Sequence, residues 1–360
     1  MTAESSYPIP IYRLVVDGQD ITPKIAGGDG QRSRLIKLTL TDKRGGDADE
    51  LTLELSDHDG ALAIPPKGAK VSLWLGYQHS GLVDRGSYTV DEVSHSGPPD
   101  KLSIKCRAAD LRKGLSTKRE KSWHRTTLGA IARAIAQRHK LTPVINASLA
   151  RIDIPHVDQA DESDINLLSR LARQHDAIMT VKHGRLLLAP AGESTTASGA
   201  AMPQLTLTRA AGDAHDYKSA DRDHYAGVRA SYHDVQRAER GTVLAGSDRG
   251  QDDASEHADD AGEASDNVQV MRHTYPSKQA AQQAADAELR KIQRGNATMS
   301  YAMAVADPTM TAEVSVTLRG WGKPQIDRTW LVAELQFELD DGGLRCKLEL
   351  EIGNNKRGKK

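Results

Sequence analysis

The chain is poor in aromatic and sulfur-containing side chains. Phenylalanine occurs once and cysteine twice among 360 residues, and aromatic residues make up 4% of the sequence. Enzyme cores and carbohydrate-binding grooves usually use more aromatic surface, so this composition favours a scaffold. Cys106 and Cys346 lie far apart in strand-like runs, which predicts buried reduced thiols and argues against a disulfide framework or a zinc site.

The chain also lacks a large excess of either charge and lacks long apolar runs. The chain has 48 basic and 49 acidic residues, so no overall field attracts nucleic acid or an anionic membrane. No run of about 18 apolar residues is present, which predicts no membrane anchor. The N-terminal segment lacks the basic start and apolar stretch of a signal peptide, so we expect synthesis in a cytosol.

Strict alternation of apolar and polar residues marks the first third of the chain. Leucine recurs at 51, 53 and 55, and apolar residues recur at Val71, Leu73 and Leu75. Period-two alternation is typical of a half-buried strand. Asp, Pro and Gly residues between such runs supply turns, so residues 1–112 are predicted to form a first β-barrel domain.

Helical periodicity replaces the alternation in residues 122–190. Two helices are predicted here, the first capped by Thr126 or Thr127 and the second by Ser163. Their apolar stripes are Leu128, Ile131, Ala132 and Ile135, and Ile165, Leu168, Leu171 and Ala172. A strand around RLLLAP follows, so this segment reads as a small α+β module.

Strand patterns return in residues 200–353, which we predict to be a second β-barrel domain. An acidic segment at 245–266 is predicted to be a mobile loop, and a helix is expected at 277–294. Asp341-Gly342-Gly343 predicts a hairpin between the last two strands. A basic tail occupies 354–360. The predicted fold class is therefore mainly β with a small α+β insert, and two β-domains of similar size raise the possibility of an internal duplication.

The last strand has the cleanest alternation in the chain, from Leu344 to Ile352. An exposed edge of such a strand would invite uncontrolled pairing, so closure of a barrel or pairing with another subunit is expected. Its polar positions are our candidates for a subunit or partner interface: Arg345, Lys347, Glu349 and Glu351.

Candidate chemistry is sparse. The densest cluster of reactive residue types, with His215, Asp216, Asp223 and His224, could hold a metal or act in acid–base catalysis, and a solvated loop is the preferred interpretation. Serine nucleophile elbows and phosphate-binding loops are absent from the sequence. We therefore predict no catalytic residues, no metal and no cofactor.

A basic patch precedes the first helix of the middle module. It consists of Arg112, Lys113, Lys118, Arg119, Lys121 and Arg125. It could contact nucleic-acid phosphates, but no recognition helix or stacking aromatic accompanies it, so we interpret it as a solvated linker or a patch that meets an acidic partner.

Three ordered segments resemble one known family. They are ADELTLELSDHDGALAIPPKGAKVSLWLGY, GSYTVDEVSHSGPPDKLSIKCRAADL and HVDQADESDINLLSRLARQHDAIMTVKHGRLLL. Their order and spacing resemble the late control protein D family of contractile phage tails, from about Tyr12 to Ile352.

The resemblance implies a baseplate hub related to the N-terminal part of type VI secretion spike proteins. As a homotrimer, two barrels per chain would form a pseudo-sixfold ring that joins a sixfold tail tube to a trimeric spike, with the middle module, LysM-like in some relatives, outside it. Other baseplate proteins would be partners, and DNA would pass the lumen without sequence recognition. The implied location is the virion baseplate, after assembly in the host cytoplasm.

Two alternatives remain from the residues themselves. A tail-tip hydrolase acting on peptidoglycan would need a carboxylate pair or a zinc triad, for which the segment from Asp213 to His224 is the weak candidate. An envelope-binding module could instead be built on the middle block, residues 122–190.

Overall fold

The computed structural model describes residues 8–27, 33–45, 49–108, 114–182, 184–192, 204–219, 225–234, 237–246 and 268–353. The described chain is mainly β, as predicted. The helices are α1 (Thr22–Ile25), α2 (Leu128–Arg138), α3 (Ala147–Ala150), α4 (Asp164–Gln174) and α5 (Lys278–Gly295). None of these helices, within the described ranges, is long and apolar enough to cross a membrane.

The strands fall into four groups along the chain. The first seven are β1 (Pro10–Val16), β2 (Gln19–Asp20), β3 (Leu35–Lys43), β4 (Glu50–Ser56), β5 (Lys70–Tyr77), β6 (Gly81–Ser96) and β7 (Lys101–Ala108). The middle group is β8 (Lys118–Thr127), β9 (Thr142–Ile145), β10 (Asp153–Ser163), β11 (Ala177–Lys182) and β12 (Arg185–Pro190). Next come β13 (Gln204–Thr208), β14 (Ala214–Ser219), β15 (Gly227–Asp234), β16 (Glu239–Gly246) and β17 (Val268–Tyr275). The last are β18 (Ala297–Met303), β19 (Ser315–Arg319), β20 (Thr329–Asp340) and β21 (Gly343–Ile352).

Strands from both ends of the chain share one 13-stranded sheet. Its main order is β14-β18-β21-β20-β3-β4-β7-β6-β5-β1-β2, with β19 on β20 and β13 on β19. Two sets of six strands in this sheet have the same spatial order and the same chain order. We call β1, β3, β4, β5, β6 and β7 the N-terminal repeat, and their counterparts β13, β14, β18, β19, β20 and β21 the C-terminal repeat.

The two repeats match at the level of single backbone contacts. In the N-terminal repeat, Val90 donates to the Ala69 carbonyl and accepts from the Gly68 amide, at 2.9 and 2.9 Å. Val332 makes the same two contacts with Val314 and Glu313, at 3.0 and 2.8 Å. Val90 lies in β6 and Val332 in β20. Each of these strands has a bulge directly after its valine, between Val90 and Glu92 and between Val332 and Glu334. The internal duplication is therefore real in the fold, although the sequence shows no convincing repeat.

The repeats differ in the pairing of their first strands. β1 pairs with β5 in the antiparallel sense, whereas β13 pairs with β19 in the parallel sense. The repeats meet where β20 pairs antiparallel with β3, from Glu334 opposite Lys43 to Leu339 opposite Leu38. A single hydrophobic core lies under both, and its largest fully buried members include Trp330, Tyr301 and Phe337. Closure of each repeat into a barrel stays a prediction, as do the domain boundaries.

The predicted alternations and the last hairpin are confirmed. Leu51, Leu53, Leu55, Val71, Leu73 and Leu75 are all buried. Asp340 lies opposite Gly343 across the turn, and its carboxylate accepts the Gly342 amide at 2.8 Å. Cys106 and Cys346 are buried free thiols, and burial raises the pKa of each to about 12.

The middle module has its own core. α2 and α4 begin where Thr127 and Ser163 accept the amides of Ala130 and Asn166, so both predicted caps are confirmed. The four predicted stripe residues of α2 are buried, as are Leu168, Leu171 and Ala172 of α4. They pack against β11 and β12, which form a three-stranded sheet with β9.

Strand β8 was not predicted. It holds the basic residues from Lys118 to Arg125, and it pairs antiparallel with β10. Trp123 is its one buried side chain, with the Lys121 ammonium 3.8 Å from the ring centroid. A ribbon that is solvated almost all round has little apolar alternation to detect, which explains the miss.

Helix α5 belongs to a separate small unit inside the C-terminal repeat. It packs on the three-stranded sheet β16-β15-β17 through Ala281, Ala284 and Ala285, with Leu289 and Ile292 partly buried. The helix lies one residue from the predicted bounds of 277–294, and the Ser277 side chain caps it by accepting the Ala280 amide. The acidic segment lies outside the described residues except for Ala245 and Gly246, which end β16, and the basic tail lies outside them entirely.

Candidate assembly surface

The sheet presents a continuous polar face that crosses both repeats. Residues directly opposite one another share a face, and one such row runs through Lys347, Gln336, Thr41, Glu50 and Arg107. This row contains two basic residues and one acidic residue. The polar side chains follow from the alternation, since every second residue of each strand must leave the core.

Ion pairs between neighbouring strands neutralise much of this polar face. Their N–O distances are 3.1 Å for Lys37–Glu338, 3.0 Å for Lys101–Glu54 and 3.4 Å for Lys105–Glu92. Within β21, Lys347 and Glu349 also pair, at 2.9 Å. Because both signs are interspersed, the face has no basic track of the kind that holds a phosphate backbone.

The four predicted interface residues all lie on this face. β21 is paired on both sides, with β18 and β20, so its edges are covered within the chain. Arg345 is bound to Asp340, and Glu351 accepts Arg44 at 2.8 Å. The side chains of Lys347 and Glu349 are 54% and 43% exposed, which leaves them accessible to a partner. Their role in an interface stays a prediction.

A second polar cluster fixes the junction between the repeats. Arg44, at the end of β3, binds both Glu313 and Glu351. Burial raises the pKa of Glu313, and the Arg44 charge opposes that shift. Glu313 also has a φ of +71°, which is unusual for a non-glycine residue. Its counterpart Gly68 has a φ of +89°, so both repeats place a left-handed residue here, and in the C-terminal repeat that residue is the glutamate that binds Arg44.

A buried ion pair ties the middle module to α5. Asp176 follows α4, and Arg294 of α5 binds its carboxylate with two nitrogens, one at 2.8 Å. Arg290 adds a third contact at 3.0 Å. The Arg294 side chain is 4% exposed, so loss of either partner would leave a buried charge without its counterion.

The most buried acid among the described residues lies inside the middle module. The Asp164 carboxylate is fully buried and is bound by Arg138 at 2.7 Å, His139 at 2.7 Å and Gln159 at 2.8 Å. Burial pushes its pKa upward, but these hydrogen bonds outweigh burial and hold the pKa below its usual range. The His139 side chain is only 7% exposed. This His–Asp pair is thus positioned for stability rather than for contact with a substrate. Sequence reasoning missed it, because an acid at the first position of a helix also suits the helix dipole.

The weak metal candidates are only half described. Asp223 and His224 lie outside the described residues. His215 and Asp216 lie in β14, where the imidazole packs edge-on against Trp321 at 5.7 Å and the carboxylate binds Lys218 at 2.8 Å. Across the described ranges, no group of three or more His, Cys, Asp or Glu residues is arranged to hold a metal ion.

The sequence and the fold both match known tail proteins. Residues 48–343 match the family model described as phage tail baseplate hub (GPD). The chain is 38% identical to a probable baseplate hub protein of Escherichia phage 186, over 95% of this chain and 93% of that protein.

Two solved structures share the fold. The 43 kDa tail protein of prophage MuSo2 from Shewanella oneidensis has a TM-score of 0.66 at 14% identity, and covers 95% of this chain and 98% of its own. An Escherichia coli protein described as a component of the type VI secretion system, similar to phage T4 tail proteins, has a TM-score of 0.52 at 11% identity. It is matched over 94% of this chain and 76% of its own length.

These matches give the hydrolase alternative no support. The matched proteins are components of phage tails or of a type VI secretion system, and the mainly β fold with its structural ion pairs agrees with such a role. The chain belongs to the phage tail baseplate hub family, and it is a structural component of the tail baseplate in the virion.

Proposed function

We propose that the chain works as a homotrimeric ring in which the two repeats of each chain form barrels and occupy six similar positions. The observation behind this proposal is the duplicated strand order, β3-β4-β7-β6-β5-β1 and β14-β18-β21-β20-β19-β13. Three chains with two equivalent units each approximate sixfold symmetry on one side and keep threefold symmetry on the other.

Such a ring matches the symmetry of two different partners. A sixfold tail tube would meet the side where the six units are equivalent, and a trimeric spike would meet the side where the repeats differ. Membership of the baseplate hub family supports this arrangement, and the fold shared with a type VI secretion component agrees with it. The middle module would lie on the outside of the ring, and other baseplate proteins would contact this outer side.

The polar face gives the ring a surface that DNA could pass. Its basic and acidic residues alternate and pair, as Lys105 does with Glu92 and Lys101 with Glu54. Stable binding of DNA requires several phosphates to be neutralised together, so this face would release DNA rather than retain it. This role requires no catalysis and no cofactor.

Molar mass in solution tests the trimer. We expect multi-angle light scattering to give three times the 39.0 kDa chain mass, alone or after addition of the spike protein of the same particle. Monomers under both conditions would refute the ring. A binding assay with duplex DNA at low salt should show no retention by the trimer, and tight binding would contradict the proposed passage.

A further inference from the structure

The contact between the repeats inside one chain has a defined geometry. Past its bulge, β20 lies between β21 on one side and β3 on the other. Its residues Leu335, Phe337 and Leu339 stand opposite Asp42, Leu40 and Leu38. This internal junction buries Phe337 completely.

The counterparts of these two strands lack such a junction. β14, the counterpart of β3, is an end of the strand order and pairs with β18 alone in the described part of the chain. β6, the counterpart of β20, pairs with β5 only as far as Thr89. Past its bulge, from Glu92 to Ser96, the strand pairing of β6 in the described chain is with β7. In the internal junction, β3 pairs with β20. Their counterparts, β14 and the second half of β6, each leave the corresponding edge without a neighbouring strand in the described chain.

Burial reports the same difference. Five of the six residues of β14 are exposed, whereas Leu35, Leu38, Leu40 and Asp42 of β3 are buried. The His95 side chain is 39% exposed, whereas Phe337 at the same place in β20 is fully buried.

The loops that precede β5 and its counterpart β19 also differ in burial, which independently supports an uncovered surface on the N-terminal repeat. Before β19, Met310 is 1% exposed, and its carbonyl accepts Arg85 of the other repeat at 3.0 Å. In the equivalent loop before β5, Ile64 is 62% exposed. The N-terminal repeat thus covers its neighbour, while its own equivalent surface is open.

We propose that β14 of one copy pairs antiparallel with the second half of β6 in another copy, and so reproduces the β3–β20 junction between chains. Transfer of the internal register places Asp216 opposite Ser96, Tyr217 opposite His95, Lys218 opposite Ser94 and Ser219 opposite Val93 of the second copy. This inference rests on the proposed trimer and specifies the surface that forms it.

The side chains suit this register. Tyr217 and His95 occupy the positions of Leu40 and Phe337, so two rings meet on the core side of the sheet. Lys218 stands diagonally from Glu92 on the polar side, within the range of cross-strand attraction. The contact is head-to-tail, since β14 and β6 are different strands. One internal and one intermolecular junction per chain close a ring of three.

Disulfide trapping tests the register. In the full-length chain, Ser94→Cys combined with Lys218→Cys places two thiols directly opposite each other, and mild oxidation should yield a covalent trimer. The matched control combines Ser94→Cys with Asp216→Cys, two residues out of register, where Cα atoms about 7–8 Å apart exceed disulfide reach. Cys106 and Cys346 are buried with a pKa raised to about 12, so they should not react.

The outcomes separate this interface from the trimer itself. Efficient cross-linking of the Ser94/Lys218 pair, with little in the control, supports the inference. A trimer by light scattering with no cross-link, or with equal cross-linking of both pairs, overturns the inference and leaves the trimer intact. Monomers alone and with the spike protein would refute both. Hydrogen exchange on the unaltered chain is the second measurement: amides of 214–219 and 92–96 should gain protection on assembly, and unchanged exchange in a trimer would also overturn the interface.

Discussion

His95 and Phe337 occupy the same place in two copies of one strand arrangement, yet one is exposed and the other is fully buried. Both residues have the same strand pairing within their own repeat. His95 follows the bulge of β6, which pairs with β7, and Phe337 follows the bulge of β20, which pairs with β21. The difference comes from β3, which covers β20 and has no counterpart over β6 in the described chain. Burial at this position is therefore set by the neighbouring repeat.

The residues on the two edges fit this contrast. β20 presents Leu335, Phe337 and Leu339 at a junction that is permanent within the chain. β6 presents Val93 and His95, between Ser94 and Ser96, at an edge with no further strand beside it in the described chain. A long apolar edge invites aggregation, and the mixed edge of β6 carries less of that risk.

The largest contrast should appear when the two equivalent side chains are truncated. Phe337→Ala removes a fully buried ring and should lower the free energy of unfolding by about 3–5 kcal/mol. His95→Ala in the monomer removes a 39% exposed ring and its 3.2 Å contact with the buried Asp57 carboxylate, so it should lower this free energy by only about 0.5–1.5 kcal/mol. Urea unfolding of both variants measures this, and equal losses would mean that β6 is already covered.

A smaller effect is expected at the shared left-handed position. Gly68→Ala places a side chain at φ +89° and should destabilise the chain by about 1–2 kcal/mol. No heavy atom lies within 4 Å of the added carbon, so backbone conformation is the cause. Glu313→Gly relieves the same strain but loses the Arg44 contact, so it should not stabilise the chain. A clear gain in the unfolding midpoint for Glu313→Gly would show that the ion pair is dispensable.

The same pair of positions predicts a difference in pH dependence. Burial raises the pKa of Glu313, so the folded state binds its proton more tightly than the unfolded state. The stability advantage of the protonated form is present below the unfolded pKa of about 4.3 and is lost as pH rises through the folded pKa. As the pH rises through the folded pKa of Glu313, the free energy of unfolding of the wild type should therefore fall relative to that of Glu313→Gln. Unfolding midpoints from about pH 4 to pH 7 measure it, and parallel curves would refute it.

The smallest effect concerns the ion pair across the internal junction. Lys37 and Glu338 are 3.1 Å apart with side chains 36% and 29% exposed. A double-mutant cycle with Lys37→Ala and Glu338→Ala should give a coupling of about 0.2–1 kcal/mol that declines with added salt. A salt-independent coupling of several kcal/mol would show that the junction is held by charge instead of by its buried leucines and Phe337.

Local patterns predicted most elements of this chain. Alternating apolar residues predicted β4, β5 and β21, the caps Thr127 and Ser163 predicted α2 and α4, and an apolar stripe predicted α5, because those signals act within a few residues. β8 was missed because few of its side chains are buried. The cluster around Asp164 was missed because its partners lie up to 45 residues away in the chain, at Arg119, and only folding brings them together.

The interface candidates show the same limit. The alternation from Leu344 to Ile352 identified a strand in need of neighbours, but it could not name them. The structure supplies β18 and β20 from the same chain, and it moves the open edges to β14 and β6, whose sequences carry weaker patterns.

The sequence alone determined the mainly β class, the α+β insert, the reduced cysteines and the resemblance to tail hubs, since each rests on spacing along the chain. Tertiary structure alone decided that the two β regions are repeats of one arrangement joined through β3 and β20. Hydrogen bonds between distant strands have no signature in either strand's own residues, so only their pairing could reveal the repeat and its open edges.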